Sequence, residues 1–123
     1  DLILGGWRAF MADQNCPFDV AVEVEGRLIR VQVKSTRKQR SIPQRVEHIP
    51  AYLFHVRRSG KGGIRVYEDG VFDILALVAL DIKRVAYLPP SAMKQTIHIR
   101  PPGTRGGKQF DSLPFDTALA SIA

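Results

Sequence analysis

Apolar and polar positions alternate most cleanly over residues 19–34, DVAVEVEGRLIRVQVK. Val20, Val22 and Val24 alternate with Ala21 and Glu23, and Ile29, Val31 and Val33 alternate with Arg30, Gln32 and Lys34. A two-residue period predicts two half-buried strands. Glu25-Gly26 lies between them, and glycine supplies the positive φ that a tight hairpin turn needs. A hairpin centred there pairs Val22 with Ile29 and Val20 with Val31. It also brings Asp19 opposite Gln32, with Cβ atoms about 5 Å apart. Lys34 follows on the same face, so a carboxylate, an amide and an ammonium gather on an otherwise apolar platform.

Elsewhere the pattern is less regular. Leu2 to Leu4 reads as the last turn of a helix stopped by Gly5-Gly6, with Trp7 and Phe10 packing back onto the core. Residues 13–17 form a turn cluster ending in Pro17. Residues 35–44 are polar and basic, and Pro43 rules out a long helix there, which leaves a loop. Residues 51–56 (AYLFHV) predict a strand that turns at the Gly-rich residues 57–63 and returns over 64–67 as a second hairpin, with another turn at Asp69-Gly70. Residues 71–80 (VFDILALVAL) suit either a helix or a buried strand, since a continuous apolar run fits both. Residues 84–88 predict a strand ended by Pro89-Pro90, and 96–99 a further short strand. A first unit spans 1–100; a loop and a short helix over 115–122 complete the chain to residue 123. The sequence contains no internal repeat.

Composition narrows the class. A chain of 123 residues with 45% hydrophobic content is one domain with a real core. No apolar run is long enough to span a membrane. No signal peptide is visible in the first residues, and the single Cys16 suits a reduced, cytoplasmic setting. The chain begins at Asp1 in what reads as mid-element, so the first helix is expected to be missing or truncated. The net charge of +6 points to a polyanionic partner. Between Gly26 and Val46 there is no acid, while Arg27, Arg30, Lys34, Arg37, Lys38, Arg40 and Arg45 are all basic. Arg57, Arg58, Lys61 and Arg65 surround the second hairpin tip. A solvated basic loop is the plain alternative, but these bases flank the polar cluster.

The cluster suits a hard divalent cation. Mg²⁺ takes oxygen ligands and is usually held by one or two carboxylates plus substrate phosphate. Asp19 supplies a carboxylate, Gln32 an amide oxygen and Val33 a backbone carbonyl. Lys34 then sits where negative charge develops on a phosphate or a water is activated. Taken singly, Asp19 is an ordinary strand-start residue, Gln32 a cross-strand partner and Lys34 a solvated lysine; their shared face gives the combination its weight. Glu23 lies about 13 Å along the strand from Asp19, too far to join it. His48, His55 and His98 offer no zinc spacing with one cysteine, and Gly60, Gly62 and Gly63 lack the phosphate-loop pattern. Tyr52, Tyr67 and Tyr87 suit the edge of a core better than base stacking.

Pro17-Phe18-Asp19 followed by a strand, a turn and Gln32-Val33-Lys34 resembles the active-site signature of the PD-(D/E)XK nuclease superfamily. The phrase RVQVKST is similar to the variant with glutamine in place of the second acid, found among group I intron homing endonucleases. Residues 68–89 resemble that group's two following strands, which makes 72–79 a strand. The resemblance covers about residues 17–90 and implies an α/β (α+β), restriction-endonuclease-like fold, a mixed central sheet flanked by helices. It implies a Mg²⁺- or Mn²⁺-dependent endonuclease acting on double-stranded DNA as a homo-oligomer, dimer or tetramer. Asp19 and Gln32 would then be metal ligands and Lys34 the catalytic lysine. Contacts to DNA would come from Arg30, Arg37, Lys38, Arg40, Arg45, Arg57, Arg58 and Lys61. The chain departs from the family pattern twice. The upstream acid on the first helix has only Asp1 to stand in for it, and Gln32 is neutral, so one carboxylate faces the cation. A non-catalytic DNA-binding domain of the same fold is the alternative, and an interaction protein that presents its basic loop to an acidic partner is a third.

Overall fold

A computed structural model describes residues 2–12, 18–37, 51–55, 58–60, 63–65, 72–92, 96–101 and 108–122. Among these residues, nine strands and a terminal helix run in the order β1 (Arg8–Met11), β2 (Val20–Val24), β3 (Arg27–Thr36), β4 (Tyr52–His55), β5 (Arg58–Gly60), β6 (Gly63–Arg65), β7 (Ile74–Ala79), β8 (Arg84–Leu88), β9 (Thr96–Ile99) and α1 (Phe115–Ile122). Five of them form the central sheet, in the order β1-β2-β3-β7-β8. The β3–β7 pair is parallel and its neighbours are antiparallel, so the sheet is mixed. A parallel pair needs a long crossover, and residues 37–73 supply it.

The first hairpin takes the expected register. Val20 pairs with Val31 and Val22 with Ile29. Glu25 and Gly26 both carry positive φ, 51° and 81°, the turn that matches the right-handed twist of the two strands. β3 runs on to Thr36, so Ser35 and Thr36 belong to the strand, where a loop was expected. The ambiguous run at 71–80 is strand β7, buried along almost its whole length by neighbours on both faces.

The two faces of the sheet carry different layers. On one, Val22, Ile29, Val31, Ile74, Ala76 and Tyr87 pack against Phe115 and Ala118 of α1, and Trp7 stacks edge-on against Phe115 at 4.8 Å. On the other, Leu75, Leu77, Ala86 and Leu88 meet a ribbon made of β4 and β9. One face thus carries a helix and the other, among the described residues, a β-ribbon.

That ribbon corrects the second hairpin. β4 does not return through 64–67 but pairs with β9, Tyr52 opposite Ile99 and Phe54 opposite Ile97. All four side chains are buried, and Phe110 meets both rings edge-on. β4 needed an apolar partner, which basic residues 57–65 could not supply. The Gly-rich segment closes its own small hairpin, β5 with β6, Gly60 opposite Gly63.

At the N-terminal end, residues 2–6 form a turn. Trp7 N–H donates to the Leu2 carbonyl and Gly6 N–H to the Ile3 carbonyl, with Gly6 at φ 89°; this is the Schellman stop expected after a last helical turn. No helix is assigned there among the described residues. Phe10 is exposed on the edge strand β1, where packing onto the core was expected. The turn cluster at 13–17 with Cys16, the turn at Asp69-Gly70, Tyr67, and nearly all of the loops at 38–50 and 102–107 lie outside the described residues.

Candidate active site

β2 begins at Val20 while β3 continues well beyond Val31, its partner across the ladder. The two strands therefore part at Asp19. On β3, Arg30 and Thr36 direct their backbone groups at β7: Asp73 N–H donates to the Arg30 carbonyl at 2.8 Å and Leu80 N–H to the Thr36 carbonyl at 2.9 Å. Peptide groups alternate sides along a strand, so Val31 and Val33 point theirs toward β2. Val31 finds the Asp19 N–H there, at 2.9 Å. Among the described residues no strand faces Val33 there, and Asp19 Oδ2 accepts its N–H.

Asp19 Oδ2 accepts two hydrogen bonds, from Val33 N–H at 2.8 Å and from Gln32 Nε2 at 2.9 Å. Asp19 itself is exposed and Gln32 is 7% exposed. Both donors are neutral, so they orient the carboxylate without setting a counter-charge against it. Both donors fall on Oδ2, and neither engages Oδ1. A glutamine that donates its Nε2 to a carboxylate presents its Oε1 away from it. The Val33 carbonyl shares the open edge with its own N–H. Asp19, Gln32 and Val33, the residues expected to hold a cation, therefore meet at the Asp19 carboxylate, which the nitrogens of the other two approach. Lys34 follows Gln32 on the same face, half-buried, in register with Leu77.

A second aspartate repeats the arrangement on the other side of β3. Asp73 immediately precedes β7, as Asp19 precedes β2. Its Oδ2 accepts from Arg30 N–H at 2.8 Å and Arg30 Nε at 3.2 Å, and its Oδ1 from Arg30 Nη2 at 3.2 Å. Burial pushes the Asp73 pKa up, but the Arg30 hydrogen bonds and the charges of Arg30 and Arg27 outweigh it, so the carboxyl titrates below its usual range. The Asp73 hydrogen bond correspondingly raises Arg30, against the effect of its burial. Arg30 was expected to contact DNA; its guanidinium is instead engaged by Asp73. The sequence carried a signal for this pair, because Phe18-Asp19-Val20 and Phe72-Asp73-Ile74 are nearly the same step. Only the partner on β3 differs, glutamine in one case and arginine in the other.

Among the other expected DNA contacts, Arg37 is exposed at the end of β3, beyond Lys34. Arg58 opposes Arg65 across the β5–β6 hairpin. Lys38, Arg40, Arg45, Arg57 and Lys61 lie outside the described residues, as do Asp1, Pro17 and His48. Among the described residues no three His, Cys, Asp or Glu side chains converge as a metal cluster. Tyr52 and Tyr87 are core residues, both buried. The Tyr52 hydroxyl donates to Asp81 Oδ2 at 2.9 Å, which ties the ribbon to the β7–β8 turn. Burial first, then this hydrogen bond and the Asp81 charge, push the Tyr52 hydroxyl up to about 12, and burial alone pushes Tyr87 up to about 12. No described helix is long and apolar enough to cross a membrane.

No family model matches the chain, and no curated protein matches it by sequence. Its architecture is similar to a solved structure, that of the bacterial homing endonuclease I-Ssp6803I. The TM-score is 0.69 at 20% sequence identity, over 97% of this chain and 82% of the other. The mixed, mostly β architecture with a C-terminal helix is thus that of a homing endonuclease-like fold.

Proposed function

We propose that the protein is a metal-dependent endonuclease that hydrolyses phosphodiester bonds in double-stranded DNA. The observation that carries this reading is the Asp19 carboxylate at the parting of β2 and β3. It is oriented by two neutral donors and has Lys34 two residues beyond its Gln32 partner. The fold shared with I-Ssp6803I and the net charge of +6 support it. Asp19, Gln32 and the Val33 carbonyl would hold Mg²⁺ or Mn²⁺. A bound cation of this kind neutralises phosphate charge and acidifies water. The protein's own part is positional. Asp19 and Gln32 fix the ligand oxygens, and Lys34 offsets the negative charge that grows on the phosphate. Arg37, at the end of the same strand, suits phosphate contacts, which position the duplex without reading its sequence. Cutting both strands calls for two sites, hence a dimer or a tetramer.

The expected result is cleavage of plasmid DNA in Mg²⁺ or Mn²⁺ that falls about a hundredfold or more in Asp19→Ala and in Lys34→Ala. Variants that cut as fast as the parent would remove both residues from the mechanism. The lone carboxylate beside a neutral glutamine favours one second reading, a DNA-binding domain of this fold without catalysis. That protein would bind DNA with a steep salt dependence, insensitive to EDTA and to Asp19→Ala.

A further inference from the structure

We infer that Asp73 guards the Asp19 site: it holds the Arg30 guanidinium against the start of β7 and so keeps a permanent positive charge off the cation-binding carboxylate. The inference rests on Asp19 being a cation ligand. Register places the groups involved. Arg30 is opposite Ala21, and Asp19 lies two residues before Ala21, so Arg30 and Asp19 are diagonal neighbours on one sheet face, about 7–8 Å apart between Cα atoms. An arginine side chain spans that distance. Gln32, between them on β3, is neutral and already donates to Asp19.

Left to itself, Arg30 would meet in Asp19 an exposed carboxylate whose other partners, among the described residues, are uncharged. A fork-shaped guanidinium seeks such a group and grips it with two parallel hydrogen bonds. That pairing would take up the very oxygen a cation needs. Asp73 prevents it by offering a better partner. It takes the Arg30 Nε and Nη2 on separate oxygens, accepts the Arg30 N–H, and returns its own N–H to the Arg30 carbonyl. Its side chain is 19% exposed against 36% for Arg30, so the pair is formed on the less solvated side of the arginine. Among the described residues, the other charge that acts on Asp73 is that of Arg27. A plain structural clamp would account for the ion pair but not for its position beside a site that depends on remaining negative.

Calorimetric titration of the full chain with Mn²⁺ separates the two roles, with Asp73→Asn, Arg30→Met and the double variant measured beside the parent. Releasing Arg30 toward Asp19 should weaken Mn²⁺ binding about tenfold or more in Asp73→Asn, the effect of one opposite charge within about 4–6 Å. Arg30→Met should bind Mn²⁺ at least as well as the parent, and the double variant should recover parental affinity. An Asp73→Asn protein with parental affinity overturns the inference. So does a double variant as weak as Asp73→Asn, because that marks a clamp whose loss distorts the site. Binding by the parent that is absent, or that survives Asp19→Ala, would instead sink the assignment of Asp19 as ligand. A crystal structure of Asp73→Asn decides the guard independently of metal. Arg30 turned onto Asp19 supports it, and Arg30 still lying against β7 or in solvent overturns it.

Discussion

Replacing Gln32 by glutamate tests the charge balance of the cleft while leaving side-chain length unchanged. Gln32 is nearly buried and donates to Asp19 Oδ2 at 2.9 Å. Glutamate removes that donor and sets a second carboxylate oxygen in its place. The lost hydrogen bond to a charged acceptor is worth about 1.5–3 kcal/mol. Two like charges about 3 Å apart repel by about 5 kcal/mol at an effective dielectric constant of about 20. Asp19 is exposed, so solvent screens part of this, and the pair escapes most of the rest by sharing a proton. The metal-free variant should therefore lose about 2–4 kcal/mol near neutral pH, about 6–15 °C in Tm for a domain of this size. A shared proton raises the folded-state pKa above the unfolded value near 4. The deficit should accordingly fade below about pH 4, where the unfolded chain is protonated as well. Millimolar Mn²⁺ should reverse the loss, since a cation held by two carboxylates stabilises the folded state by about 2.7 kcal/mol at a hundredfold excess over Kd. Thermal melts with and without Mn²⁺, at neutral and acid pH, give all of these quantities. A variant that melts with the parent in metal-free buffer would mean that Gln32 does not hold Asp19. A variant that is destabilised but gains no more from Mn²⁺ than the parent does would mean that Gln32 does not face the ion.

Two pH dependences follow from the hydrogen bonds of the core and sheet. Asp73 titrates below its unfolded value, so its contribution is fully present above about pH 4 and is lost as pH falls through the folded pKa. Asp73→Asn should remove that part of the acid slope, and an unchanged profile of Tm between pH 2 and 6 would contradict the pairing. Tyr52 and Tyr87 are both raised to about 12 from an unfolded value near 10. Between those values the unfolded chain holds fewer protons, so stability should fall with rising pH by up to about 1.4 kcal/mol per unit for each tyrosine. Tyr52→Phe should halve that slope in urea unfolding measured at pH 9 to 11.5; a slope equal to the parent's would remove Tyr52 from it.

Local signals carried a good part of the fold. The hairpin of β2 and β3 was legible to the residue because three independent features agree on it: alternation on both strands, a glycine at the turn, and polar residues that fall on one face. β8, β9 and α1 were legible in the same way, each being a short apolar run closed by proline or by helix-forming residues. β7 was not, since a strand buried on both faces has no period to read. β4 was recognised as a strand and given the wrong partner. Its pairing with β9 joins residues far apart in the chain, and no local pattern shows that Tyr52 and Phe54 will be buried beside Ile97 and Ile99.

The two aspartates draw the line most sharply. By itself the sequence determined that Asp19 and Asp73 each follow a phenylalanine and precede a β-branched residue at the start of a strand. It also determined, through hairpin register, that Asp19 faces Gln32. It held nothing that would distinguish an exposed carboxylate held by neutral donors from one taken up in an ion pair. The tertiary structure decided that when it laid β7 parallel to β3 with Ile74 beside Val31, which places Asp73 against Arg30. Charge on a carboxylate depends on what lies within a few ångströms of it. Across a parallel pair that neighbour is set by a crossover of some tens of residues, which no local stretch of sequence encodes.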